Sequence, residues 1–159
     1  MDTDEIRTEL ADAESLLGST QLCHLAYTGT DGTPRVVPVG FWWTGEQLVV
    51  STAATAPKVA ALRARPEVAV TIDAGGTPEQ ARTLSVRGTA DITIVDGLVE
   101  EYLLAARRSM GEGAAAQFEA ACRELYDRMA RIAITPTWAR FYDFGSGRVP
   151  RFLRELMER

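Results

Sequence analysis

Residues 83–94 read Thr83-Leu84-Ser85-Val86-Arg87-Gly88-Thr89-Ala90-Asp91-Ile92-Thr93-Ile94, a strict alternation of polar and apolar side chains. A period of two is that of a β-strand, whose successive side chains point to opposite faces. The segment therefore predicts a long strand with one wet face. Gly88 in its middle predicts a bend or bulge, as a strongly curved sheet requires.

Upstream, Val68–Ile72 is an apolar strand, and the Gly-Gly-Thr-Pro stretch within 73–81 predicts an exposed loop. A helix is expected from Lys58 to about Arg65, with Val59, Ala61 and Leu62 inward, and Pro66 ends it. Before it, Gln47–Ser51 reads as a short strand entered through the turn at 44–46. Leu22–Thr28 and Pro34–Trp43 form a hairpin about the turn Thr30-Asp31-Gly32-Thr33. Residues 4–17 predict a helix, with Ile6, Leu10, Ala13 and Leu17 on one stripe and Gly18 as the stop.

Downstream, Asp96 is expected to cap a helix of about 97–109. Gly111 to Gly113 breaks it, and a second helix follows at about 114–129. Arg131–Ile134 is a strand that Thr137–Tyr142 extends past Pro136, and the charged tail from Pro150 is helical. Short connections make the sheet mainly antiparallel. The fold expected is an α+β split β-barrel of six strands. It carries an N-terminal helix, a short helix after the third strand and a helical insertion near 97–129, and residues 1–159 form one domain.

Of 17 basic residues 16 are Arg, and the exception is Lys58. It follows Ser51-Thr52-Ala53-Ala54-Thr55-Ala56-Pro57 and opens the helix. A helix N-terminus offers unpaired N–H groups and partial positive charge, hydroxyls add neutral donors, and an ammonium adds a point charge. That set suits a phosphate; the plain alternative is a chance survivor in an Arg-rich chain. Arg35 starts the return strand, either as a solvated strand-end cation or as a bidentate phosphate ligand. Pro34 and Pro38 in the same strand place it at a sheet edge or bulge.

The net charge of −5 disfavours nucleic-acid binding as the main work of the chain. No run of about 18 apolar residues predicts a membrane span, and the acidic start is no export signal. A cytoplasmic protein with two reduced, buried thiols, Cys23 and Cys122, is expected. One His and no CxxC leave no metal site. His24, inside an apolar strand, is read as a core residue, with haem ligation as the other reading. Trp42, Trp43, Trp138, Phe141 and Tyr142 are candidates to wall a planar ring. Asp143 and Arg148 frame a Gly-Ser-Gly flap, while Glu100, Glu101, Arg107 and Arg108 read as solvated helix faces. No hydrolytic triad or paired carboxylate set stands at usable spacing, so no catalytic side chain is assigned.

The ordered set resembles the pyridoxamine 5′-phosphate oxidase-like split β-barrel superfamily. It comprises a hairpin with Asp-Gly, then Arg-Val-Val-Pro-Val-Gly, a strand ending Ser-Thr, a Lys six residues on, Leu-x-x-x-Pro-x-Val-x-Val and Val-Arg-Gly-Thr-Ala. It covers residues 12–95 well and 130–145 loosely. The resemblance implies bound FMN, with the deazaflavin coenzyme F-420 as the alternative. It also implies a homodimer with the cofactor at its interface, and hydride transfer involving a small organic substrate. Arg35, Val36, Val37, Pro38 and Val39 match the stretch that lines the cofactor with its backbone and first Arg. Ser51 and Thr52 match the hydroxyl pair beside the phosphate, and Pro57 with Lys58 matches the basic pair that closes on it. Thr83 or Arg82 stands where a Gln often meets the flavin ring in the family. Pro57 replaces an Arg, and no His follows residue 24, so the C-terminal contacts to pyridoxamine phosphate have no counterpart. Oxidation of that vitamin is therefore not implied. A non-catalytic flavin, deazaflavin or haem binding protein is the alternative function.

Overall fold

The computed structural model describes all residues, 1–159. Its elements run α1 (Thr3–Asp12), α2 (Glu14–Ser19), β1 (Leu22–Thr28), β2 (Pro34–Gly40), β3 (Trp42–Trp43), β4 (Leu48–Ala53), α3 (Pro57–Ala64), β5 (Glu67–Ala74), β6 (Arg82–Asp96), α4 (Glu100–Met110), α5 (Glu112–Leu125), β7 (Arg128–Asp143) and α6 (Arg151–Met157). The fold is α+β with one sheet of seven strands in the order β2-β1-β5-β6-β7-β4-β3. Every pairing is antiparallel.

The two edge strands, β2 and β3, are separated in sequence by Phe41 alone. One residue thus joins the two margins, and the sheet must curl until they meet there. No ladder pairs β2 with β3, so the cylinder stays open: a split barrel. The break at Phe41 divides the expected 34–43 strand and raises the strand count from six to seven. Phe41 is buried in the core cluster with Leu16, Leu25, Leu62, Ile72, Leu84 and Ile134. Its side chain turns inward where the chain crosses between margins.

The long strand is β6, paired along its length with β7. Leu84, Val86 and Ala90 are buried and Arg87 and Thr89 exposed, as the alternation requires. The register slips between Arg87 and Gly88. A Cβ on Gly88 would stand 2.5 Å from Thr135 O and 2.9 Å from Ile134 Cγ2, so only glycine lets β7 approach there.

The N-terminal helix closes one end of the barrel. Glu9 accepts from Phe141 N–H at 2.6 Å, Arg140 at 3.2 Å and Arg148 at 2.7 Å. Arg148 also reaches Asp12 at 2.5 Å and Phe141 O at 2.8 Å. The 143–148 segment is therefore no flap. Asp143 and Arg148 exchange two backbone hydrogen bonds of 2.9 Å, Gly147 takes a left-handed φ of 78°, and the Arg148 side chain is locked to α1.

Three local expectations are corrected. Asp96 ends β6 and does not cap α4, whose N-cap is Val99. The N-terminal helix is split at Ala13 into α1 and α2, and the second runs past Gly18. Glu101 and Arg108 are not solvated. Arg108 crosses from α4 to donate to Leu17 O, Thr20 O and Phe41 O, with its guanidinium 5.2 Å from the Trp42 ring centroid. Glu101 pairs with Arg131 at 2.6 Å. Both thiols are free and buried.

Candidate functional site

β2 is an open edge. Gly29 N–H donates to Thr33 O at 2.8 Å, which fixes that pair as hydrogen-bonded. The antiparallel register then turns the N–H groups of Arg35, Val37 and Val39 toward β1. Those of Val36 and Gly40 face outward, and so do the nitrogens of Pro34 and Pro38, which have no hydrogen. Prolines are tolerated for that reason. Of the Val36–Val39 stretch, only Val36 presents a free donor.

β4 is half open. Its partner β3 covers only Leu48 and Val49, leaving Val50–Ala53 unpaired on that side. Because β2 runs into β3 without reversing, it leaves Phe41 alongside the uncovered half of β4, and the two strands approach each other. A cleft between two unpaired backbone edges results: the split of the barrel.

α3 lies across the far end of this cleft. Pro57 occupies its first turn, and its N-cap, Ala56, makes no side-chain hydrogen bond. Pro57 has no N–H and Val59 N–H donates to Ala56 O at 3.0 Å, so Lys58 N–H is the one first-turn donor left free. Lys58 is half-buried there, with no carboxylate in ion-pair distance, and burial alone pushes its pKa down. At the other end of α3, Arg65 donates to Gly29 O at 3.1 Å, tying the helix to the β1–β2 hairpin that carries Arg35. α3 is eight residues long, so its two ends are roughly 12 Å apart.

The residues singled out in the sequence are therefore brought only partly together. Thr52 lies near the end of β4, and Lys58 on the first turn of α3, five residues after that strand. Arg35 stands on the β2 side, its guanidinium held by Asp31 at 2.9 Å and by Thr33 Oγ1. Hydrogen bonds from the Thr33 amide and hydroxyl, then Arg35, hold the Asp31 carboxyl well below the usual range. Ser51 and Thr52 are consecutive on a strand and point to opposite faces. Ser51 shares the face of Val49, under α4; Thr52 shares the face of Leu48 and Val50. The two hydroxyls do not form a side-by-side pair. Ser51 Oγ is buried and has no hydrogen-bond partner. Thr83 is remote from these groups, on the outer face of β6 between Asp73 and Tyr142.

That outer face also corrects the reading of His24. The side chain is half-exposed, 3.8 Å from Asp73, and belongs to no core. Around it lie Leu22 and Val36, 53% and 65% exposed, a high degree for large aliphatic side chains. Of the aromatic candidates, Phe141 is core, Trp42 lies under the Arg108 guanidinium, Trp138 is stacked on Arg87 at 4.3 Å, and Trp43 lines a groove against α1.

One feature was invisible in the sequence. The α4–α5 insertion roofs a cavity of about 290 Å³ over the Phe41 end of the cleft, lined by Gly40, Phe41, Val49, Ser51, Tyr102 and Phe118 among others. The i, i+3, i+4 spacing of Tyr102, Ala105 and Ala106 was the one available signal that this helix face is covered. Burial and the neighbouring Cys122 push the Tyr102 phenol pKa up, so it stays neutral.

No cluster of His, Cys, Asp and Glu is arranged to hold a metal ion, and no helix is long and apolar enough to cross a membrane. A family profile described as pyridoxamine 5′-phosphate oxidase matches residues 9–137. No curated protein matches the chain. A solved F420 reductase is 31% identical, with a TM-score of 0.60, covering 79% of this chain and 94% of that one. A conserved hypothetical protein of Mycobacterium tuberculosis is 21% identical, with a TM-score of 0.65, covering 95% and 90%. The haem storage protein of Vibrio cholerae is 15% identical, with a TM-score of 0.59, covering 85% and 94%. The last two show the fold alone. The split barrel, its open cleft and the profile match over most of the length agree: the chain belongs to the pyridoxamine 5′-phosphate oxidase family.

Proposed function

We propose that the chain is a flavin-type oxidoreductase that holds the cofactor in the cleft between β2 and β4. FMN and the deazaflavin coenzyme F-420 are the two candidates, and the 31% identical F420 reductase brings the second level with the first. The observation that carries the reading is Lys58: a half-buried ammonium without a carboxylate in ion-pair distance, on the first turn of the helix that follows β4, its own N–H free. A cation in that setting is stabilised by an anion such as a phosphate.

In this reading Lys58, Pro57 and the α3 N-terminus bind the phosphate, with Thr52 adding a hydroxyl and Ser51 the backbone beside it. Arg35 joins them when its pairing with Asp31 exchanges for the phosphate. The unpaired edge of β2 at Val36, flanked by Val37, Pro38 and Val39, orients the ring by backbone contact. When bound, the cofactor supplies the hydride chemistry, so the protein needs to supply only position, electrostatics and exclusion of water. That fits a chain with no acid–base constellation.

A second copy is part of the proposal. Leu22, Val36, Pro38 and the outer faces of β1 and β5 form the surface it would cover, and it would bring Thr83 to the ring. Burial of the two exposed aliphatic side chains favours such a dimer.

The test is an absorbance titration of the purified protein with FMN and with coenzyme F-420, followed by addition of reduced nicotinamide nucleotide. Saturable binding of either cofactor with bleaching on reduction supports the oxidoreductase. Binding without any redox turnover supports the alternative, a flavin, deazaflavin or haem carrier. No binding of either flavin-type cofactor refutes the reading.

A further inference from the structure

The roofed cavity above the cleft has a chemistry of its own. Its volume is about 290 Å³, whereas an apolar protein cavity of about 150 Å³ takes benzene. The space fits a bicyclic aromatic molecule. Phe41, Tyr102 and Phe118 contribute aromatic walls, and Val49, Ala105 and Ala106 contribute aliphatic ones.

The polar groups are few and nearly all committed. The Glu101 carboxylate is held by Arg131 Nε at 2.6 Å and 3.3 Å. Ser109 Oγ donates to Ala105 O and Ala106 O within its own helix. Two are not: the exposed Gln21 amide at the margin, which is open to water, and Ser51. Its hydroxyl is buried and unpaired on a residue that lines the cavity. An orphaned buried hydroxyl is a destabilised group, and rotation about χ1 offers it to an acceptor in the cavity. With Glu101 and Arg131 paired, the wall offers an anion no free cation. The lining thus differs from the Lys58 end of the cleft in both charge and polarity.

We propose that this cavity binds a small uncharged molecule of bicyclic-aromatic size carrying one hydrogen-bond acceptor, and that the α4–α5 insertion thereby sets the substrate class. Its role as the substrate pocket rests on the cofactor reading above; the binding does not. The two ends of the cleft divide the labour: phosphate at α3, neutral apolar ligand under α4. The approach is from the side of Met110, about half-exposed. The Arg108 hydrogen bonds to Leu17, Thr20 and Phe41 hold the roof in place.

The experiment uses the full chain without cofactor and two probes, quinoline and 2-naphthoate, at mildly alkaline pH where quinoline is uncharged. Calorimetry gives the affinity, and protein NMR shifts give the location. Quinoline is expected to bind and shift Tyr102 and Phe118, and 2-naphthoate to bind at least tenfold more weakly. Ala105→Leu fills the cavity and should weaken quinoline about 10–200-fold, the range for a methylene-scale misfit in an apolar pocket. If that variant unfolds by circular dichroism, Ser109→Leu, at the exposed margin of the same wall, replaces it. Lys58→Ala should leave quinoline binding unchanged. Quinoline that fails to bind, binds no better than 2-naphthoate, or is indifferent to the filling variant overturns the proposal. The cofactor titration of the wild-type chain is scored separately, so quinoline binding without cofactor binding removes the substrate role and keeps the pocket.

Discussion

Gly88 and Thr135 stand in backbone contact across the β6–β7 ladder: a Cβ on Gly88 would lie 2.5 Å from Thr135 O. The register slips at this point, and the 15-residue strand bends there. Gly88→Ala therefore pushes main chain against main chain. A loss of about 1–3 kcal/mol is expected, the usual cost of overpacking. Urea unfolding measures it, and an unchanged midpoint would show that the strands part without cost.

Glu9 closes the barrel end by accepting from Phe141 N–H and two guanidinium groups. Its side chain is 15% exposed. Glu9→Ala leaves the Phe141 amide and Arg140 without an acceptor and takes one of three from Arg148, and should cost about 2–3 kcal/mol, the lower end for a partly wet pair. Glu9→Gln keeps an acceptor for Phe141 N–H and should cost less. Equal losses in the two variants would mean that charge, not the amide acceptor, holds the end shut.

Cys23 is buried in the core, and burial pushes its pKa up to about 12 from an ordinary 9.0. A raised folded pKa means the neutral thiol is favoured in the native state. Its contribution to stability is complete below pH 9.0 and is lost as pH rises from 9.0 toward 12. At neutral pH neither Cys23 nor Cys122 should react with a thiol reagent until the protein is unfolded. Rapid labelling of native protein would contradict the packing around β1.

Lys58 works in the opposite sense. Its folded pKa lies below the ordinary 10.5 because burial disfavours the charge. The unfolded chain holds that proton more tightly, so the cost is present at neutral pH and is relieved as pH rises through the folded value toward 10.5. A bound phosphate relieves it without deprotonation. Cofactor affinity should accordingly fall with rising pH once Lys58 begins to lose its proton, and Lys58→Arg should flatten that fall. Affinity that is independent of pH in the wild type would place the anion elsewhere.

Much of the fold was legible because alternation is a local signal. The 83–94 pattern identified β6, and Pro34 and Pro38 marked β2 as an edge before any ladder was known. The break at Phe41 was not legible: an apolar run of Val, Phe and Trp looks the same whether it stays on one margin or crosses between two. Asp96 misled because a strand end and a helix cap both favour Asp, and Gly97 hands the chain to a loop instead. The proposed phosphate end was suggested by Lys58, the one lysine of the chain, whereas the hydroxyl pair Ser51-Thr52 was misleading, because adjacency in sequence becomes opposition in a strand. Glu101 and Arg108 were missed because a charge on a helix looks solvated until a partner such as Arg131 or Phe41 O is known.

The most direct measurement is the equilibrium affinity of the wild-type chain and Lys58→Ala for FMN and coenzyme F-420, read by fluorescence. Saturable binding of one of the two, weakened in Lys58→Ala by about 1.5–3 kcal/mol, is the predicted result for loss of a charged hydrogen bond. A variant that binds as tightly as the wild type would contradict the placement of the phosphate at the foot of the split.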